Sequence, residues 1–499
     1  MRPSFNVLND PWIPVVAQDG ERSLLGIRET LRRAPELKEI SVVSPLEEFS
    51  VYRFLSVFLM DALRPEDRDN IEELLDEGNF DMEQIEAYIS RCEEEGVSFD
   101  LFDEQRPFMQ AAFLREEGKK EAESAARLDL AHPTGNNHIH FEHGKLDDYS
   151  LTFAEALPKM LSANLFAVKG GSGYQPSING KPPYMILING ENLFQTLCFM
   201  FVALGEHKPL EVERFEWMKV KAVEKGAAPA NPAFFQSMIY PVRSILLLPD
   251  DQEQVIKKVY YSKGCMYDKN RVWRDPNVGY QAYRGSNKEK QGEMMPVFPE
   301  EDIAPWRNYV EFLRTVGRQE VVSRYLKYDL VESNVFVTLY GVCSDEGSYK
   351  NTVRCSLRIP VQILGNPDCE DAIHFCIEDS KSVGDTLQRA MRIALKNERI
   401  DAKGKSIKPT DAKVKETANV YYTRCEEVFW TLIQKLGAAK SDELTQIMQE
   451  WRNGILIIAL DVYNNAVSSI QANGKTLRQI ALGEDILRNW SKPKGGKKR

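Results

Sequence analysis

The spacing of apolar and polar positions changes along this chain, and the change divides it. Near the N-terminus, Val7-Leu8 and Trp12 to Val16 read as short strands, broken by Pro11 and Pro14. Leu55 to Leu63 predicts a helix. Residues 70–98 predict acidic helices, with Ile71, Leu74 and Leu75 and then Ile85 and Tyr88 on their apolar sides. The block FDLFDEQRPFMQ at 99–110 reads as a compact apolar knot. Residues 131–190 are rich in Pro, Gly, Asn and Ser and predict loops, interrupted by a helix from Phe153 to Phe166. Strand-like stretches return over 240–360, as in Ser244 to Leu248 and Val335 to Tyr340.

Beyond Gly365-Asn366-Pro367 the period becomes helical. Val383, Leu387, Met391 and Ala394 share one face, and Val428, Phe429, Leu432, Ile433 and Leu436 share another. Ile455 to Leu460 is wholly apolar, Tyr463 and Val467 extend its buried side, and a shorter helix follows over 475–490. Gly437 and Gly474 stand where helices are expected to stop. Helices with short connections predict a bundle. The expected class is therefore α+β: a large mixed α/β N-terminal domain over 1–366, a C-terminal four-helix bundle over 367–491, and a basic disordered tail over 492–499. A chain of 499 residues is too long for one hydrophobic core, which fits this division.

Composition narrows the class. No apolar run reaches the roughly 18 residues of a membrane span, and the N-terminus has no signal-peptide core. The eight cysteines include no C-x-x-C pair. These features predict a cytoplasmic protein with reduced thiols and no membrane association. The net charge of −10 is uneven. Residues 371–499 hold 22 Lys and Arg against 16 Asp and Glu, a balance of +6, which leaves −16 for residues 1–370. An acidic chain with a basic end is unlike a free-standing nucleic-acid binder. It suits a subunit that touches nucleic acid through small patches while other components neutralise most of the phosphate.

Two runs concentrate the polar chemistry. His132, His138, His140 and His143, four of the six histidines, fall in AHPTGNNHIHFEHGK. His138, His140 and His143 stand at i, i+2 and i+5 without a nearby cysteine, which is not the ligand spacing of a zinc site, so no metal is expected. An exposed loop of Asn and His offers donors and acceptors suited to base edges or sugar-phosphate. The alternative is a metal-dependent nuclease built on the His132–His143 cluster. The second run is Lys169-Gly170-Gly171-Ser172-Gly173. It is neither a P-loop nor a dinucleotide fingerprint; its glycines allow a backbone to approach a ligand closely, or form an ordinary flexible turn. No G-x-S-x-G, H-E-x-x-H or kinase signature occurs, so neither catalysis nor a cofactor is expected.

Several blocks taken together carry a family resemblance. They are FNVLNDPWIPV at 5–15, FDLFD and PFMQ within 99–110, HPTGNN and FEH within 132–143, the glycine run at 169–173, and GVCSDEGSYKN at 341–351 ahead of a helical bundle. In this order, and over the whole length, the chain resembles the CasA-type (Cse family) large subunit of the type I-E CRISPR Cascade complex. The resemblance implies an N-terminal domain of family-specific architecture and a four-helix bundle. It implies a non-enzymatic subunit of an RNA-guided antiviral surveillance complex, which recognises the PAM in double-stranded DNA and wedges the duplex open for R-loop formation. The implied partners are guide RNA, target DNA, the backbone, small and handle-binding subunits, and a helicase-nuclease. By position, PAM binding falls on Lys169, Gly170, Gly171, Ser172 and Gly173, with Lys263 or Lys269 as the contacting lysine. The guide-RNA or backbone loop falls on Thr134, Asn136, Asn137, His138 and His140. The wedge falls on Asp345, Glu346 and Gly347, where the family usually carries a glutamine. The basic run over 381–415 would suit the displaced strand or the guide backbone, and reads equally as a solvated helix face.

Overall fold

The computed structural model describes residues 3–115, 121–130, 149–171, 173–208, 210, 212–217, 229–250, 252–269, 273–283, 292–318, 334–345, 348–397, 411–470 and 473–490. The chain is α+β and forms two compact units. The larger contains Met1–Glu301 and Val335–Arg358, and the smaller contains Asp302–Gly317 and Ile359–Arg499.

In the larger unit, β1 (Ile13–Ala17) pairs antiparallel with β2 (Arg22–Leu25) on one side and, past a short helix α1 (Ile27–Arg32), with β3 (Leu37–Ile40) on the other. The expected strand at Val7-Leu8 is a buried turn instead. Asn6 accepts from Leu8 N through its side chain and from Asn9 N and Asp10 N through its carbonyl, and these local bonds displace a ladder. The helix expected from Leu55 begins ten residues earlier, as α2 (Pro45–Leu63). Every residue from Leu46 to Ala62 is buried, Glu47, Glu48, Arg53 and Asp61 included. Those charges interrupt the apolar pattern, and a helix buried on all sides has no amphipathic stripe to read.

The apolar knot packs on α2: Phe108 lies 6.2 Å from Phe54 and 5.3 Å from Phe99, and Trp12 lies 6.0 Å from Phe54. The acidic helices α3 (Arg68–Glu77) and α4 (Met82–Glu94) are capped by Asp67 and Asp81, whose carboxylates accept backbone N–H groups of the first turn. Short strands β4 (Glu123–Ser124) and β5 (Leu151–Thr152) lead to α5 (Phe153–Leu165), which starts with a Thr152–Glu155 capping box. After β6 (Met185–Asn189) and the short helices α6 (Leu193–Cys198) and α7 (Phe234–Ser237) come β7 (Arg243–Asp250) and β8 (Val255–Lys263). These two form an antiparallel hairpin in which Arg243 stands opposite Lys263 at the open end. The strands β9 (Tyr280–Ala282) and β10 (Met294–Pro296) make a small ribbon.

The smaller unit opens with α8 (Tyr309–Arg318) and, after β11 (Asn334–Asp345) and β12 (Ser348–Pro360) of the larger unit's hairpin, continues as α9 (Pro367–Ala394), α10 (Asp411–Ala438), α11 (Leu444–Ser468) and α12 (Gly474–Arg488). The last four pack together as the expected bundle. Trp451 donates to the Cys376 carbonyl at 2.8 Å, and Tyr421 to the Ser380 carbonyl at 3.0 Å, so each fixes one helix against α9. A Cβ at Gly483 would come within 2.9 Å of the Ala390 carbonyl, and this close approach brings α12 onto α9. Gly474 does not stop a helix. It opens α12, because Asn473 caps that helix by accepting from Lys475 N and Thr476 N. Trp306 joins the bundle core, with its ring 4.9 Å from Phe429 and 6.4 Å from Trp451.

Candidate nucleic-acid interface

The glycine run leaves the core where α5 ends. Phe166 and Ala167 are buried, Lys169 to Gly171 and Gly173 are exposed, and Gln175 and Ser177 return to the core. The exposed stretch is a tight turn in which Tyr174 N donates to the Gly171 carbonyl at 3.1 Å. Its roots are fastened by Arg243, the first residue of β7, whose guanidinium is buried. One Nη donates to the Gln175 carbonyl at 2.5 Å and the other to the Val168 carbonyl at 2.8 Å, while Nε donates to the Tyr261 hydroxyl at 2.9 Å. One planar cation therefore ties both ends of the loop to the β7–β8 hairpin. Gln175 adds a second tie through its side-chain amide, which donates to the Tyr267 carbonyl at 3.0 Å and accepts from Tyr267 N at 2.9 Å.

The three described glycines differ in what they allow. Gly173 has φ +85°, which disfavours any side chain, and the Lys263 side chain lies across it where a Cβ would collide. A Cβ at Gly170 would stand 2.8 Å from Cβ of Tyr174. At Gly171 a Cβ would meet nothing within 4 Å. The turn thus presents bare backbone at Gly171 with an ammonium beside Gly173. A stack backs it: Arg243 lies over Tyr174 (5.3 Å), Tyr174 stacks on Tyr261 (6.3 Å, 16°), and Arg127 lies over Tyr261 (4.8 Å). Burial pushes the Tyr174 and Tyr261 phenols up, so both stay neutral. Of the two candidate lysines, Lys263 meets the glycine run. Lys269 is exposed two residues beyond Tyr267, and no contact between it and the run is seen among the described residues. Ser172 lies outside the described residues.

The wedge candidate is the tip of the β11–β12 hairpin. Strand β11 pairs with β6 over Phe336 to Tyr340; among the described residues its strand partner beyond Tyr340 is β12, and Val342 and Cys343 are still buried there. Asp345 is exposed at the end of β11, Lys350 and Asn351 are exposed on the returning strand, and Glu346 and Gly347 lie outside the described residues. The hairpin is held by Glu48 of α2. That carboxylate accepts from the Tyr340 hydroxyl at 2.5 Å and from Arg354 at 3.1 Å. Burial pushes Glu48 up, and Tyr340 and Arg354 oppose that rise.

Thr134, Asn136, Asn137, His138 and His140, with His132 and His143 of the nuclease alternative, lie outside the described residues. The chain on either side of them is fastened. Tyr149 donates to Asp129 at 3.2 Å, and Lys159 of α5 donates to Asp129 at 3.0 Å and to Glu47 at 2.9 Å. Burial alone would depress the Lys159 ammonium, but the Glu47 and Asp129 carboxylates outweigh it and hold the group above its ordinary value. Within the basic run, Lys381, Arg389, Arg392 and Lys396 are exposed on or just beyond α9, and residues 398–410 lie outside the described residues, as does the tail from 491. Among the described residues, no group of three or more His, Cys, Asp or Glu is arranged to hold a metal, and no helix is long and apolar enough to cross a membrane.

Sequence reasoning missed Arg243, the Tyr174–Tyr261 stack and the Glu47–Glu48 pair. An arginine heading an otherwise apolar strand, RSILLL, is the one signal that could have found Arg243.

Comparison with known proteins adds the following. The family model for the CRISPR-associated protein Cse1 matches residues 6–462. A CRISPR-associated protein CasA/Cse1 of Thermus thermophilus is 24% identical over 504 aligned positions, covering 96% of each chain. The crystal structure of Thermobifida fusca Cse1 superposes with a TM-score of 0.76 at 20% identity, covering 98% of this chain and 97% of that one. A chain of a CRISPR RNA-guided surveillance complex also superposes with a TM-score of 0.76, at 17% identity over 97% of this chain and all of the other.

Proposed function

Because this chain belongs to the CRISPR-associated Cse1 family, we propose that it is the large subunit of a type I-E surveillance complex. In that complex it reads the PAM in double-stranded DNA and starts the opening of the duplex. The observation that carries this reading is the exposure of Lys169, Gly170, Gly171 and Gly173, with the flanking Val168 and Gln175 carbonyls bound by Arg243 and with Lys263 laid across Gly173. Bare backbone at Gly171 fits a minor groove about 6 Å wide, where the degenerate pattern of acceptors gives short, loose specificity. Lys263 supplies charge to the flanking phosphate or to a base-edge acceptor. A short recognition sequence is what an RNA-guided system leaves to its protein, because base pairing reads the rest.

The hairpin beyond Tyr340 acts as the wedge. Asp345 keeps phosphate away from its end, while Lys350 and Asn351 on the return strand face the displaced backbone. The segment from Thr134 to His140 meets the guide RNA or the backbone subunits, and the exposed bases of α9 meet displaced strand or guide. The chain carries no catalysis and no cofactor of its own. Cleavage belongs to a recruited helicase-nuclease.

Reconstitution tests this reading. Guide RNA and the other subunits, assembled with and without this chain, are offered a target duplex and the same target as a single strand. Both assemblies should bind the single strand, and only the complete one should bind the duplex. Equal duplex binding without this chain would overturn the assignment.

A further inference from the structure

The glycine run also seats the residue that follows it. A Cβ at Gly170 would stand 2.8 Å from Cβ of Tyr174 and 3.3 Å from the nearest ring carbon, so the tyrosine stem uses the space that the missing side chain leaves. Tyr174 N closes the turn on the Gly171 carbonyl at 3.1 Å, which keeps that stem beside the bare backbone. The ring packs on the Arg243 guanidinium at 5.3 Å and on Tyr261 at 6.3 Å and 16°. The two phenols of this stack then differ. Tyr261 is buried, and its hydroxyl accepts from Arg243 Nε at 2.9 Å. Tyr174 is half-buried. Among the described residues its hydroxyl has no hydrogen-bond partner and is not one of the buried polar atoms left unpaired, so it opens to solvent. Folding has already ordered this ring, so a hydrogen bond from its hydroxyl costs little further side-chain freedom. Burial pushes the phenol up and keeps it protonated, able to donate.

We infer that Tyr174 is a further DNA contact of this turn, its hydroxyl donating to a backbone oxygen of the duplex, and that Gly170 is a positioning residue that makes room for it. The tyrosine stem sits against Gly170 at the foot of the turn, whereas Gly171 faces open space. The hydroxyl therefore meets the sugar-phosphate wall of the groove, while the backbone at Gly171 meets the base edges. A wall contact fixes register and adds affinity but carries no sequence information. This rests on the reading of the turn as a duplex contact.

The test uses complexes assembled with guide RNA and the other subunits, offered duplexes that share one target and differ in the flank beside it. Tyr174→Phe removes the hydroxyl and keeps the ring, the stack and the turn. Its Kd for duplex should rise roughly three- to tenfold, the range of one neutral hydrogen bond, and by the same factor on every flank. Because the hydroxyl is uncharged, the slope of log Kd against log salt should match the parent's, whereas Lys263→Met should lower it. Gly170→Ala, at a φ that is not among the positive ones, displaces the tyrosine stem and should lose a similar factor. Adding Tyr174→Phe to it should cost less than about twofold more, since both changes remove one contact. Tyr174→Phe binding like the parent, a loss confined to one flank, or an equal loss on a target opened in advance would overturn the inference. The functional reading fails separately. A parent without flank preference would remove sequence reading, and a uniform loss in Tyr174→Phe would then keep the backbone contact. A parent with flank preference and an unchanged Tyr174→Phe would remove the contact and keep the reading.

Discussion

Replacing Gly171 with leucine should weaken binding of PAM duplex by the assembled complex roughly ten- to hundredfold, the loss expected when a base-edge contact worth about 1–3 kcal/mol is blocked. This substitution is informative because the fold has no objection to it. A Cβ at Gly171 meets nothing within 4 Å, and its φ is not among the positive ones. Gly173 would be a poor choice, since its φ of +85° and the Lys263 side chain make any substitution a folding defect as well. The Gly171→Leu complex should assemble normally and bind a target already opened opposite the guide nearly as well as the parent, because pairing then supplies the energy. Equal affinity of mutant and parent for PAM duplex would remove the case for the turn.

Trp306→Ala should destabilise the smaller unit by about 3–5 kcal/mol, the range for deleting a large buried aromatic. Trp306 is fully buried, and Phe429 and Trp451 of two bundle helices close on it at 4.9 and 6.4 Å. For a unit of this size that corresponds to a fall of roughly 6–20 °C in its unfolding temperature. Trp306→Phe should lose markedly less. Thermal unfolding followed by circular dichroism, with protease susceptibility of α9 to α12 as a second readout, measures both. An unchanged melting temperature for Trp306→Ala would show that the bundle does not depend on this upstream ring.

The bundle was the most legible part of the chain, because amphipathic helices state their buried side in the sequence: Val383, Leu387, Met391 and Ala394 are all buried on α9. Helix α2 was half hidden for the opposite reason. It is buried on every side, and its four buried charges look like surface residues until Lys159, Arg354, Asp275 and Tyr88 are seen to pair with them. Such partners lie up to 306 positions away, beyond any local pattern. At the site, the glycine run was legible as residue types, while Lys263 was only one of two lysines that the resemblance offered, and the reason each glycine is there was not legible. Only the fold separates Gly171, which faces open space, from Gly173, which lies beneath Lys263. Val7-Leu8 misled because an apolar pair says nothing of the Asn6 and Asp10 side chains that bend it into a turn.

The central claim, that this subunit reads a short sequence through the glycine turn, is tested most directly by selection from a randomised flank. Duplexes with a fixed target beside a random stretch are bound by the parent complex and by the Gly171→Leu complex, and the retained sequences are read. The parent should enrich a short flank immediately beside the target, with loose preference at each position as minor-groove reading implies, and the variant should lose that enrichment. Retained flanks as random as the input for the parent, or the same preference in both complexes, would contradict it.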